Sequence, residues 1–258
     1  MKTFRILRNI GITLFSILIC LNFTSCSNDN DSGIVAKGKK LTKIVKDDWY
    51  IATLNYDNKG RLIEAYENWD DNSYTYYYFW EDSFISIITT SSVYIDTLYI
   101  KDGLVEKSNN NETLFYNNSK KLIAYKEVSR YDSDNFSCFW EKDKLSSYDR
   151  RYRSDSYTQS KTVTFDYDGI SCPKGCFHPI FLTLSFYDDN GWISDDAINL
   201  LTFAHPELFG IKTTLLPATS NDDGYYYQYQ YEFDRNGYVS KIIQQDEYSD
   251  DTYTLTWE

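Results

Sequence analysis

The feature that most constrains this chain is a unit repeated along it: an aromatic residue, three further residues, a turn-forming residue, and an apolar residue two positions on. Tyr56-DNK-Gly60-Arg-Leu62 is the fullest copy, and Phe79 to Ile85, Tyr99 to Val105, Tyr116 to Leu122 and Phe139 to Leu145 follow the same plan. Phe165 to Ser171, Tyr187 to Ile193 and Phe233 to Val239 continue it. Asp and Asn bond the local backbone and Gly accepts positive φ, so such a cluster between two apolar runs turns the chain back on itself. Each unit therefore predicts a β-hairpin. Between the turns Tyr, Phe, Thr, Val and Ile alternate with a period of two, as in Thr252 to Trp257, which is the pattern of half-buried strands. The expected fold is all-β: an antiparallel meander of hairpins in a curled or barrel-like sheet, in one domain over residues 41–258.

One segment departs from the repeat. The anchoring aromatics lie 23, 20, 17, 23, 26, 22 and 46 residues apart, and the last interval is twice the first. Ser194-Asp195-Asp196 has the form of a helix start, Ala197, Ile198, Leu200, Leu201 and Phe203 supply an apolar face, and Pro206 ends it. This predicts one helix near 194–206, packed over an end or face of the sheet.

From Phe181 to Glu247 the order of helix, GIKTTLLPATSNDDG and YYYQYQYEFDRNGYVSKI resembles a family of Bacteroidota lipoproteins of unknown function with a porin-like fold. The short Y-D-x-x-G-R-L element is also similar to the tyrosine-aspartate repeats of secreted toxin shells. The resemblance implies a curled antiparallel sheet and supplies no activity, substrate or catalytic residue.

Residues 1–25 read as an export signal: Lys2, Arg5 and Arg8, an apolar run from Ile10 to Leu21 too short to span a bilayer with ease, then small polar residues. Phe23-Thr24-Ser25-Cys26 resembles a lipobox, with Thr24 and Ser25 fitting the pattern and Phe23 standing where Leu is usual, so Cys26 is the expected site of acylation and the membrane is the expected partner. An ordinary cleavage site is the alternative. Residues 26–40, charged and without periodicity, read as a flexible tether. The acidic run after Cys26 resembles the surface-export signal of Bacteroidota lipoproteins, which implies the outer face of the outer membrane. The net charge of −12 becomes more negative once Lys2, Arg5 and Arg8 are removed, so no nucleic-acid partner is expected.

Chemistry-bearing motifs are few. Cys172-Pro-Lys-Gly-Cys176-Phe-His178 allows a disulfide between Cys172 and Cys176, or buried thiols, more readily than a metal site, since its spacing is not a zinc one. No metal and no cofactor are expected. His178 and His205 both precede proline, and Gly169-Ile-Ser171-Cys-Pro lacks the final glycine of a nucleophile elbow. Paired acids such as Asp188-Asp189 and Asp222-Asp223 are frequent, but they fall mostly in turns.

The remaining unusual feature is 25 Tyr, 15 Phe and 6 Trp. From Tyr74 to Trp80 rings occupy both faces of one strand, with Tyr74, Tyr76, Tyr78 and Trp80 on one of them. That face is either core with its hydroxyls at a wet edge or an exposed platform for a ligand. As a platform, Tyr74, Tyr76, Tyr78 and Trp80 are the candidate binding residues. The expected function is a non-catalytic surface lipoprotein that binds glycan or protein; a carrier of lipid or another small molecule, and a glycan hydrolase, are the alternatives.

Overall fold

The computed structural model describes residues 38–47, 49–69, 72–90, 95–129, 131–172, 174 and 196–258. Among these the strands are β1 Leu41–Lys46, β2 Tyr50–Tyr56, β3 Leu62–Trp69, β4 Asn72–Trp80, β5 Phe84–Thr89, β6 Ile95–Lys101, β7 Leu104–Ser108 and β8 Glu112–Tyr116. They continue as β9 Leu122–Val128, β10 Ser133–Glu141, β11 Lys144–Arg153, β12 Thr158–Asp166, β13 Thr219–Asp222, β14 Tyr225–Phe233, β15 Val239–Gln245 and β16 Asp250–Trp257. Each pairs antiparallel with its neighbours in sequence, and β1 also pairs with β16, with Ile44 opposite Leu255 and Lys46 opposite Tyr253. The meander thus closes into a sixteen-stranded barrel, the fuller of the two expected forms.

The plugged end, as we call it, holds the start of every odd strand and the finish of every even one. The far end holds the short turns that join them. The chain enters at the plugged end, where Lys40 and Glu258 exchange backbone hydrogen bonds of 2.6 and 2.9 Å and the Tyr238 hydroxyl accepts from the Lys39 amide. Lys39 and Lys40 therefore bond to the barrel.

The repeat explains how the plugged end is built. Its apolar residues Leu62, Ile85, Val105, Leu122, Leu145 and Val239 are all buried and face inward. The preceding strand ends on an inward residue, and seven of these donate to a carbonyl at the start of the hairpin partner: Tyr56 to Leu41, Trp80 to Leu62, Tyr116 to Val105, Trp140 to Leu122, Tyr167 to Leu145, Tyr231 to Pro217 and Trp257 to Val239, at 2.6–2.9 Å. In β6 the place is taken by Ile100. The rings fill the end while their single polar groups satisfy backbone oxygens.

The register differs from the seven-residue unit of the sequence. Asp57, Asn117 and Asp234 open turns in which one side-chain oxygen accepts two backbone amides. At Asp102-Gly103 and Lys142-Asp143 the link is only two residues, with positive φ at Asp102, Gly103 and Lys142. Shortening the turn moves the pairing by one residue and reverses which face each side chain takes. Tyr99 and Phe139 are consequently exposed, as is Phe233 beside a bulge, and Trp80, Ile100 and Trp140 hold the inward positions.

The expected helix is α1, Asp196–Ala204, followed by a 3-10 turn, Pro206–Phe209, that ends on Gly210 at φ +64°. Ser194 and Asp195 lie outside the described residues. Ala197, Ile198, Leu200, Leu201 and Phe203 are buried in one cluster with the inward strand residues, so the segment closes the plugged end from inside. His205 fixes it there. Its Nε2 accepts from the Leu62 amide at 3.2 Å, its Nδ1 faces Glu207 at 3.0 Å, and Tyr56 and Trp80 flank the ring.

Inward positions of the middle layer carry Leu, Ile, Ala, Tyr and Phe in one continuous cluster. Outward positions differ around the wall. Tyr77, Tyr99, Phe115 and Ile123 stand on the β4–β9 side, whereas β11 presents Asp149, Arg151 and Arg153 and β14 presents Gln228, Gln230 and Glu232. A lipid-spanning barrel has an apolar outside and a polar lumen, and a Lys or Arg at the lipid midplane costs roughly 2–4 kcal/mol. In its middle layer this barrel is apolar inside, and its outside mixes apolar side chains such as Ile63, Tyr77, Phe115 and Ile123 with charged ones such as Asp149 and Arg151.

Candidate functional site at the far end

Toward the far end the inward alternation continues, but its residues become charged. Lys46, Glu67, Glu112, Asp134, Arg150 and Asp222 are buried there. Burying charge is tolerable only with partners. Arg150 reaches Asp134 with two nitrogens, the shorter contact 2.7 Å, and lies over the Phe136 ring. Lys161 meets Asp222 at 2.8 Å and Lys46 meets Asp251 at 3.5 Å. Burial lowers the Lys46 pKa against the opposing pull of Asp251. Glu67 accepts from the hydroxyls of Tyr50 and Tyr76.

Glu112 and Glu127 face each other across β8 and β9, and the Tyr125 hydroxyl lies between them, 2.8 Å from one and 3.3 Å from the other. Burial pushes the Glu112 carboxyl up, more than hydrogen bonds from Ser108 and Tyr125 pull it down. Glu127 is raised by burial and then by the charge of Glu112. One hydroxyl proton cannot serve two carboxylates equally, so the pair holds a proton more firmly than free glutamates do. Glu112 is too well buried for a sugar ring to reach, which leaves the pair without the open cleft that glycoside hydrolysis needs.

Around this charged layer stand exposed tyrosines. Tyr131, Tyr157, Tyr225, Tyr226 and Tyr248 all lie at far-end turns or strand tips between β9 and β16, and Tyr226 and Tyr248 are 68% and 79% exposed. They sit among short polar residues that shape the turns: Ser129 caps the turn at Tyr131, Ser154 the one at Tyr157, and Asp246 accepts the amides of Tyr248 and Ser249. The rings are thus carried on ordered turns.

The residues singled out in the sequence fall elsewhere. Tyr76 and Tyr78 are 4% and 2% exposed, so the strand face they share with Tyr74 and Trp80 lines the inside of the barrel and is no open platform. The Tyr78 hydroxyl donates to the Ala197 carbonyl of α1 at 2.7 Å, and half-buried Trp80 packs on His205. Closure of the sheet is the physical reason, because it leaves every strand one covered face. Cys172 is buried, Cys176 lies outside the described residues, and so do Cys26 and His178. Cys138 is a buried thiol pushed up to about 12 by desolvation. Sequence reasoning missed the tyrosine rim. Its one signal was Tyr beside Asp or Ser in short turns, as in Tyr131-Asp-Ser, Asp-Ser-Tyr157 and Glu-Tyr248-Ser.

No protein-family model and no curated protein matches the chain. Among solved structures it is similar to a porin-like protein from Bacteroides uniformis ATCC 8492, at TM-score 0.59 and 14% identity over 85% of this chain and 95% of that one. A porin-like protein from Bacteroides vulgatus ATCC 8482 gives TM-score 0.57 and 14% identity over 84% and 98%. Likeness at this identity is likeness of fold.

Proposed function

We propose that this chain is a non-catalytic lipoprotein, acylated at Cys26 and held on the outer face of the outer membrane, that binds a glycan or protein ligand along the tyrosine rim of its far end. The observation that carries the reading is the placement of the exposed rings at the end opposite the point where the chain enters the barrel. A tether of about a dozen residues spans roughly 20 Å as a flexible coil. A barrel held by that segment has its exposed tyrosines at the end away from the attachment point. Tyrosine suits this role, since a rigid ring with one polar tip gives contact area at small entropic cost. The carrier alternative needs an apolar cavity, and the packed middle layer offers it no support.

Two measurements test the proposal. Labelling cells with a radioactive fatty acid should mark the protein and fail to mark Cys26→Ala. On glycan and host-protein arrays, replacing Tyr131, Tyr157 and Tyr226 with Ala should abolish binding and leave the circular dichroism spectrum intact. Binding undiminished by the triple change removes the rim from consideration.

A further inference from the structure

The barrel wall is held least firmly between β7 and β8. Their ladder has a single registered pair, Lys107 with Thr113, whereas every other adjacent pair among the described strands has four or more. Both flanks of this seam are firm. On one side Asn109 continues the β6–β7 ladder: its amide donates to the Thr97 carbonyl at 3.0 Å, and its side chain bonds the Thr97 amide and the Ile95 carbonyl at 2.8 Å. Asn110 also donates to Asp96 at 2.7 Å. On the other side β8 and β9 are registered from Glu112 opposite Glu127 to Tyr116 opposite Leu122. Two side-chain hydrogen bonds also cross the seam, between Ser108 and Glu112 at the far end and from Tyr116 to the Val105 carbonyl at the plugged end.

The far-end closure carries an unfavourable arrangement of charge. Glu112 is buried, faces Glu127 of β9, and feels the charge of Asp96 on β6 across the seam. Asp134 of β10 stands opposite Glu127, and the Tyr125 hydroxyl lies between the two glutamates. Arg150 of β11 pulls Glu127 the other way, but two of its nitrogens are engaged by Asp134. The lysines of β7 and β9, Lys107 and Lys126, lie over the exposed Tyr99 and Phe115 rings on the outside. An ionised Glu112 therefore repels both the strand beside it and the strand across the seam, and a proton on Glu112 removes both repulsions.

We infer that the β7–β8 seam is a pH-controlled opening in the barrel wall: a proton held by the Glu112–Glu127 pair keeps it shut, and loss of that proton parts the two strands from the far end. The device does not depend on ligand binding at the tyrosine rim. Parting there uncovers Leu114 and gives an otherwise closed ring a strand edge. In the open state both carboxyls reach water and titrate near their ordinary 4.5, whereas burial raises both in the closed state. Below that value the two states carry the same protons, and opening is independent of pH. Above it the closed state keeps a proton that the open state releases, so opening gains up to about ten-fold per pH unit until the raised values are passed.

The test is native-state hydrogen exchange of the full mature chain, read by mass spectrometry between pH 5 and 8 and corrected for the intrinsic rate of each amide. Amides of 104–116 should be less protected than those of β10 and β11. Their exchange should not respond to urea below the unfolding transition, since a local opening exposes little surface. Their protection should fall as pH rises. Glu112→Gln with Glu127→Gln removes both titrating protons and should leave protection of 104–116 flat across this range. If that pair of changes prevents folding, Glu112→Gln alone decides: it removes the charge that raises Glu127, and should move what remains of the fall to lower pH. Protection of 104–116 that does not vary with pH, that matches β10 and β11 in size and urea dependence, or that varies unchanged in the variants overturns the inference.

Discussion

Gly210 is where the plug locks onto the wall, and Gly210→Ala measures that lock. Its φ of +64° places it in the left-handed region, where an alanine costs roughly 1 kcal/mol. A Cβ there would stand 2.6 Å from the Lys120 carbonyl oxygen, 2.8 Å from Tyr116 Cε1 and 2.9 Å from the Leu122 nitrogen. Two of these are backbone atoms of the β8–β9 turn and cannot rotate away. The plug must withdraw, which stretches the 3.0 Å hydrogen bond from the Leu122 amide to the Gly210 carbonyl, worth about 1 kcal/mol, and overpacks the contact for roughly another 1–3 kcal/mol. The expected loss is about 4 kcal/mol. Gly103→Ala is the matched control, since φ is +79° there but nothing lies within 4 Å, so it should cost only about 1 kcal/mol. Urea unfolding followed by tryptophan fluorescence reads the difference in midpoint at constant slope. By melting, the two should differ by roughly 6–12 °C for a domain of this size. Equal losses in the two variants would refute the close approach of plug and wall.

Arg150→Met strands the buried Asp134 carboxylate and should cost about 3–5 kcal/mol in urea unfolding, whereas Asp134→Leu with Arg150→Met should recover most of it. Tyr78→Phe removes the donor to Ala197 and should cost about 1–2 kcal/mol while leaving rim binding unchanged; the reverse result would return that strand face to the list of ligand contacts. Glu112 and Glu127 have folded pKa values above their ordinary 4.5, so the folded state binds more protons than the unfolded state between those limits. Their contribution to stability is greatest below about 4.5 and is lost as pH rises through the raised values. Glu112→Gln should flatten that slope in urea midpoints measured across the interval.

The strands were legible because alternation and turn chemistry are local. The range Tyr225–Phe233 was readable from its odd-numbered rings, and the helix from its acids, apolar face and proline. Closure was not, because the pairing of Leu41 with Trp257 joins residues with no local relation. Nor was the orientation of Tyr74 to Trp80: alternation reveals that a strand has two faces but not which one the rest of the sheet will cover. The charged layer was hidden for a related reason. Glu112, Asp134 and Arg150 at strand ends look solvated in a sequence, and only the inward register brings them under cover. The aromatic unit was visible and its Tyr56 and Tyr116 do face inward, but at Phe79, Tyr99 and Phe139 it is misaligned by one residue, since the face depends on a turn length that differs by only a few residues between copies.

The opposition of the two ends bears on mechanics. Under the arrangement proposed above, a pull between residue 38 and a ligand on the far-end tyrosines would run from one end of the barrel to the other. Force in that direction shears many backbone hydrogen bonds at once, whereas a pull between two points on the same rim would unzip them in succession. A closed ring offers no free edge at which peeling can begin, so a load applied from end to end is shared by the neighbouring ladders. A barrel held and loaded in that way would unfold at a rate set by the shear barrier and not by its equilibrium stability.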